Sequence, residues 1–362
     1  MSINKLHAFD NISSHLLAEK REKDTNDQHN NFRFLTVDHV NKQSNKQFKK
    51  EKEKVRMYLV QRYIDYVKNY TAVLEKRFPA AMKMYRVFSV GIKDFLKDMK
   101  TYILLRIKIA KDQGFQNVSR AEIELYQKMP RDMVKIAPVL ILSAVPFGNY
   151  VIFPLAFLRP KVLLCSHFWS IQQKAEFTIQ DLTDRLKHNK PVFRALQSKV
   201  DSIPSGDLKE KWIRILAKLG SGVHPSADEI LEVRPLFSSG AHELNLLSYS
   251  HAGYLLRMHG LRKGVLRKSK LKYRAFLLLE MDKAIIREGG VESLQMECLR
   301  NACLMRGLNS THLSNNDMRK WLDKWLSISK FVDKQSYSLI LHCPIFFAYN
   351  HPQNWMLIYT KP

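Results

Sequence analysis

The chain has 362 residues, with 59 Lys and Arg against 34 Asp and Glu, for a formal net charge of +25. That balance disfavours cationic partners and points to nucleic acid, ribosomes or acidic lipid surfaces. The four cysteines form no C-x-x-C pair, which removes zinc-finger and thioredoxin-type patterns and leaves reduced, buried thiols as the expectation.

Residues 1–50 are polar and read as a disordered or targeting segment. No apolar run follows Met1, as a secretory signal requires. Asp10, Glu19, Glu22, Asp24 and Asp27 are out of place in a mitochondrial presequence. Residues 51–130 carry helical patterns. Tyr63, Tyr66, Val67, Tyr70, Val73 and Leu74 form one apolar stripe, interrupted at Phe78-Pro79. Met84, Val87, Phe88, Ile92, Phe95, Leu96, Met99, Tyr102, Ile103 and Ile107 form a second. Its cations (Lys93, Lys97, Lys100, Arg106, Lys108, Lys111) suit either an anionic lipid surface or a solvated face of a helix hairpin. Ser119-Arg-Ala-Glu122 has the form of a capping box and predicts a short helix ending before Pro130.

Between Ile136 and Leu158 lie 23 residues without a charge. At about 1.5 Å per residue the run is long enough for a ~30 Å hydrocarbon core, so a transmembrane helix is expected. Pro138, Pro146 and Pro154, with Gly148 and Asn149, make a straight helix unfavourable, because each proline removes a backbone donor and crowds the preceding turn. The competing expectation is a buried hairpin broken at Pro146-Phe-Gly-Asn149.

Residues 160–350 read as a helical domain. Ser170-Ile-Gln-Gln173 and Ser226-Ala-Asp-Glu229 have capping-box form, and Gly220 marks a helix stop. Residues 271–288 are helical up to Gly289-Gly290, and a helix from Glu292 to Arg306 ends at Gly307. Ser314 caps another helix, on which Met318, Trp321, Leu322, Trp325 and Leu326 mark one apolar face destined for the core. Only Ser336 to Leu341 hints at β alternation, and residues 351–362 read as a tail. The predicted fold class is all-α: a single-pass membrane protein with a helical domain after the span.

Four segments resemble a known family. They are Pro130-Arg-Asp-Met-Val-Lys-Ile-Ala-Pro138; Val145-Pro-Phe-Gly-Asn149; Phe157-Leu-Arg-Pro160; and Cys303-Leu-Met-Arg-Gly-Leu-Asn-Ser-Thr-His-Leu313 with Trp321-Leu-Asp-Lys-Trp-Leu326. They are similar to the mitochondrial leucine-zipper/EF-hand-containing transmembrane (LETM) family over roughly residues 55–350. The resemblance implies a mitochondrial inner-membrane protein with one span and a ribosome-binding-like helical domain, generally on the matrix side. It also implies links to ribosome association, cristae organisation and cation/proton homeostasis. The D-x-[DN]-x-[DN]-G loop of an EF-hand is missing, so calcium sensing is not expected.

No Walker loop, H-E-x-x-H or G-x-S-x-G is present, and no enzyme, metal or cofactor is expected. His224, His242, His251 and His259 match no metal-ligand spacing and read as core or solvent histidines. The span holds no acid, so transport requires a homo-oligomer lined by Ser143, Asn149 and proline-freed carbonyls. The leading binding candidate is Arg257, Arg262, Lys263, Arg267, Lys268, Lys270, Lys272 and Arg274, without an acid among them. Such a run suits phosphate contacts, and the resemblance names the mitochondrial ribosome as the partner. A solvated inter-helix linker and a nuclear-localisation signal at Arg267–Lys272 are the alternatives, the latter implying an adaptor with a nuclear pool.

Overall fold

A computed structural model describes residues 79–145 and 148–359, together with Lys54, Met57, Tyr58, Gln61 and Arg62. Residues 1–50, the Tyr63–Leu74 stripe and Pro146 lie outside the described residues. Among those described every regular element is helical, so the fold is all-α.

The capping boxes at Ser119, Ser170 and Ser226 each close: the serine accepts the N3 amide while the N3 side chain accepts the cap amide. They open α2 (Arg120–Ala144), α5 (Ile171–Leu186) and α8 (Ala227–Glu232), respectively. Before them runs α1 (Pro79–Lys111). Phe95, Tyr102 and Leu105 of α1 are buried, whereas Leu96, Ile103 and Ile107 of the predicted stripe are exposed.

Two expectations for α2 and its successor are corrected. The helix does not stop before Pro130 but carries both Pro130 and Pro138 to Ala144. Burial of Met129, Ile136 and Val139 holds it through the missing backbone bonds. The run from Ile136 to Leu158 is not one helix either. It is the end of α2 and a separate α3 (Gly148–Leu158), with an extended residue, Val145, after α2. No helix among the described residues is long and apolar enough to cross a membrane. Ile136, Val139, Ile152 and Ala156 of this run pack with Phe95, Cys165 and Phe168, which is the interior of the hairpin alternative. Pro138, Pro154 and Leu158 stay exposed.

After α4 (Pro160–Leu163) and α5 come α6 (Asn189–Gln197), α7 (Asp207–Gly220), α8, α9 (Pro235–Ser238) and α10 (Tyr249–Met258). Then follow α11 (Arg267–Arg287), α12 (Met296–Met305), α13 (Asn315–Ser329), α14 (Tyr337–Ala348) and α15 (Pro352–Tyr359). One large core joins α6 to α14. Its centre is α14, every residue of which is buried. Burial on all sides explains why Ser336–Leu341 showed no 3.6-residue period and hinted at β. α11 is the hub. Leu271, Ala275 and Leu279 face the main core, while Leu277, Leu278 and Met281 pack against Phe115, Val118 and Ile123 from the α1–α2 region.

Trp321 and Trp325 are core residues, as the stripe predicted. Residues 352–359, expected as part of a tail, form α15. Its buried Asn354 accepts the Asn309 amide at 2.7 Å and donates to the Gly307 carbonyl at 2.9 Å. The Glu292 start expected for α12 shifts to Met296, because Val291–Ser293 takes a 3-10 turn.

Candidate anionic-partner interface

The basic segment straddles the end of α10, a loop, and the first turns of α11. No acid occurs from Leu244 to Leu279, so this strip has no local countercharge. The second half of the strip is helix from Arg267 onward, not linker. No side chain caps that helix start, and its first turns carry Arg267, Lys268, Lys270 and Lys272. Cations at a helix N-terminus add to the positive end of the macrodipole instead of offsetting it. The arrangement is mildly unfavourable for the isolated chain and favourable for a bound anion.

The eight predicted residues divide into three roles. Arg257, Arg262, Lys263, Lys268, Lys270 and Lys272 are exposed. Two of these make contacts, neither to a carboxylate: Lys263 sits 5.4 Å from the Tyr254 ring and Lys268 donates to the Asn245 carbonyl. Arg267 is a brace. Its guanidinium lies 3.4 Å from the centroid of the Tyr249 ring and donates to the Tyr249 and Gly264 carbonyls at 2.6 and 3.3 Å. Gly253 makes room for it, since a Cβ there would stand 2.6 Å from Arg267 Nη1. The loop is tied from the other side by Arg131 of α2, which donates to the Gly260 carbonyl at 3.1 Å.

Arg274 is corrected outright. It is only 4% exposed and cannot meet an external phosphate. Seven residues into α11, it faces inward and donates to the Met305 carbonyl at 3.2 Å. Arg185 reaches the same place, donating to Met258, Leu304 and Met305 carbonyls at 3.0, 2.9 and 3.1 Å. Both arginines satisfy carbonyls left open at helix C-termini, where the dipole favours positive charge. Burial lowers Arg185 to about 10 and Arg274 to about 9 from the ordinary arginine range. A third arginine, Arg306, pairs with buried Asp282, whose other oxygen accepts the Trp325 indole at 3.0 Å.

Of the four histidines singled out in the sequence, His242, His251 and His259 are buried in the core, as is His342, while His224 is half-buried and accepts the Asn350 amide at 3.1 Å. His342 donates from Nδ1 to the Ser338 carbonyl at 2.7 Å, which leaves its Nε2 to accept from His251 Nε2 at 3.0 Å. A bond between two Nε2 atoms needs a lone pair on one of them, so the two rings cannot both be protonated.

A protein-family model described as LETM1-like, RBD matches residues 118–346. The chain belongs to this LETM1-like family. It is 29% identical over 290 residues to "LETM1 domain-containing protein 1" of Xenopus tropicalis, covering 79% of this chain and 82% of the relative. It is 28% identical over 286 residues to the Homo sapiens protein of the same name, covering 78% and 79%. A Drosophila melanogaster "Mitochondrial proton/calcium exchanger protein" is 25% identical over 226 residues, 59% of this chain but 21% of that protein. No solved structure matches the chain.

Within the LETM1-like segment from Cys303 to Leu313, several residues form an internal bracket. Arg306 enters the Asp282 pair, Gly307 takes φ +92°, and Asn309 donates to the Gln353 carbonyl at 3.0 Å. In the sequence this motif carries part of the family resemblance but implies no structural role for these residues. The brace of Arg267 and the inward turn of Arg274 were also invisible, because charge counting does not record which side of a helix a residue faces.

Proposed function

We propose that this chain is a mitochondrial, membrane-attached LETM-type module. It docks through the exposed cations of the α10–α11 junction onto the RNA-rich surface of the mitochondrial ribosome. The observation that carries this reading is the pairing of an uncapped helix start with exposed Arg262, Lys263, Lys270 and Lys272 in a strip without acids. Phosphates of structured RNA meet such a surface by counterion release and helix-terminus contacts. The mitochondrial location rests on the family membership and on the name of the Drosophila relative.

Attachment is assigned to the α2–α3 hairpin. Val151, Phe157 and Leu158 are 69%, 63% and 71% exposed, a density of apolar surface that marks a membrane or protein contact. At about 1.5 Å per residue, the eleven residues of α3 reach roughly half of a ~30 Å hydrocarbon core. A hairpin dipping into one leaflet fits that length better than a crossing. Ion exchange has less support, because no carboxylate lies between Ile136 and Leu158 to ligate an ion in the apolar layer.

The test is co-sedimentation of the purified full chain with mitochondrial ribosomes. The quadruple variant R262Q/K263Q/K270Q/K272Q should pellet much less than the wild type. Equal pelleting of both proteins overturns docking through this face.

A further inference from the structure

Away from the basic strip, three side chains with metal-ligating atoms converge where the turn after α4 meets α1 and α2. Cys165 Sγ lies 3.4 Å from His167 Nδ1, and His167 Nδ1 lies 3.8 Å from Asp132 Oδ2. All three donor atoms fall within 4.8 Å of one another. Tetrahedral Zn²⁺, with bonds of about 2.3 Å to sulfur and about 2.0–2.2 Å to nitrogen and oxygen, sets donor atoms roughly 3.3–3.6 Å apart. The Sγ–Nδ1 and Nδ1–Oδ2 separations are therefore within a few tenths of an ångström of a coordination shell.

Three independent features point the same way. Asp132 is 6% exposed, and its Oδ2 is buried without a hydrogen-bond partner. Its nearest cation, Lys128 Nζ, stands at 4.0 Å, beyond hydrogen-bond reach. Asp98 of α1 meets His167 Nε2 at 2.9 Å, so Nε2–H donates to the carboxylate and the Nδ1 lone pair turns toward Cys165 and Asp132. A carboxylate behind a histidine is the usual outer support of a metal ligand. The ring is also held in place, by an edge contact with Phe95 at 5.7 Å and by Gly91, where a Cβ would collide with Phe168 and approach the His167 carbonyl to 3.0 Å.

We infer that Asp132, Cys165 and His167 form a binding site for a borderline-soft divalent metal, Zn²⁺ first, with Asp98 as the positioning residue for His167. Thiolate and imidazole select against Ca²⁺ and Mg²⁺. Binding is a ligand exchange: the metal takes Sγ, Nδ1 and Oδ2, and the Cys165 thiol proton leaves to solvent. Thiolate and carboxylate then balance the two positive charges. An open depression of about 270 Å³, lined by Asp94, Lys97, Asp98, Lys128, Ser166, His167 and Lys174, lies beside His167 and its Asp98 partner. The ion would clamp α1, α2 and the 165–167 turn at the base of the apolar hairpin. The sequence signal, Cys165-Ser-His167, is short and lacks its third member, which comes from α2.

Co²⁺ added to chelator-treated full chain, followed by Zn²⁺ competition and metal analysis, tests the site. The expected result is one metal per chain and a thiolate-to-cobalt charge-transfer band that Zn²⁺ abolishes. C165S should lose the band, C298S should keep it, and D98N should keep it while binding about 10–100-fold more weakly. Where C165S fails to fold, the D98N and C298S results decide. No band in the wild type, a band surviving in folded C165S, one lost in C298S, or D98N binding as tightly as wild type overturns the assignment.

Discussion

Trp325 donates its indole N–H to Asp282 Oδ2 at 3.0 Å, while the other oxygen of the same carboxylate takes the Arg306 guanidinium. All three side chains are essentially sealed from solvent. The pair links α11, α12 and α13 around one charge. Arg274 and Arg185 stand nearby with no acid of their own in contact, so Asp282 is the main anion in a cationic interior.

Removing that anion should be costly. Breaking one partner of a buried pair typically costs about 3–5 kcal/mol, because the other charge is left uncompensated. D282N keeps the shape but not the charge and should lower the melting midpoint sharply. W325A should be comparably damaging, at about 3–5 kcal/mol for an emptied core site. Thermal unfolding followed by circular dichroism checks both. A midpoint within a degree or two of wild type for D282N contradicts the burial described.

The histidine core sets an acid limit. Burial pushes His242 down to about 3, His251 to about 2, and His224 and His342 to about 4. In the unfolded chain each titrates near 6.5. Below that value the unfolded state binds more protons, so stability falls as pH drops from about 6.5 toward 4 and is fully present above it. Urea midpoints measured from pH 7.5 to 4.5 should decline, and H251F/H342F should decline less steeply if it folds. A flat profile across that range contradicts neutral burial.

Arg267 and its neighbours in the strip should part company. R267Q removes the Tyr249 brace and should lower stability by about 1–2 kcal/mol. The R262Q/K263Q/K270Q/K272Q variant touches only exposed groups and should melt within about 0.5 kcal/mol of wild type. Equal destabilisation by both would mean that the strip is structural throughout.

The apolar hairpin should anchor the chain. F157D/L158D places charges on exposed α3 positions and should abolish flotation with anionic vesicles without changing helix content. Retained flotation assigns attachment elsewhere.

What was legible in the sequence follows a physical line. Capping boxes at Ser119, Ser170 and Ser226 depend on residues three apart, and each formed. The Trp321–Trp325 face has a 3.6-residue period and is buried. Failures occurred where the tertiary environment overrides local rules. Pro130 and Pro138 sit inside a helix because burial around them outweighs two missing bonds. Ser336–Leu341 lost its period because α14 is buried all round. Arg274 carried the same charge as Lys272 two residues earlier, yet it points to the opposite side of α11. The Asp132–Cys165–His167 group joins residues 33 positions apart, and only its Cys165-Ser-His167 part is local in the sequence.

A salt series of co-sedimentation with mitochondrial ribosomes tests docking most directly. Each neutralised phosphate contributes roughly −0.7 to −0.9 to the slope of log affinity against log salt. Loss of four contacting cations in R262Q/K263Q/K270Q/K272Q should therefore flatten the slope by about 3 and weaken binding at every salt concentration, with the melting profile intact. A variant that keeps both the wild-type affinity and the wild-type slope contradicts docking through the α10–α11 junction.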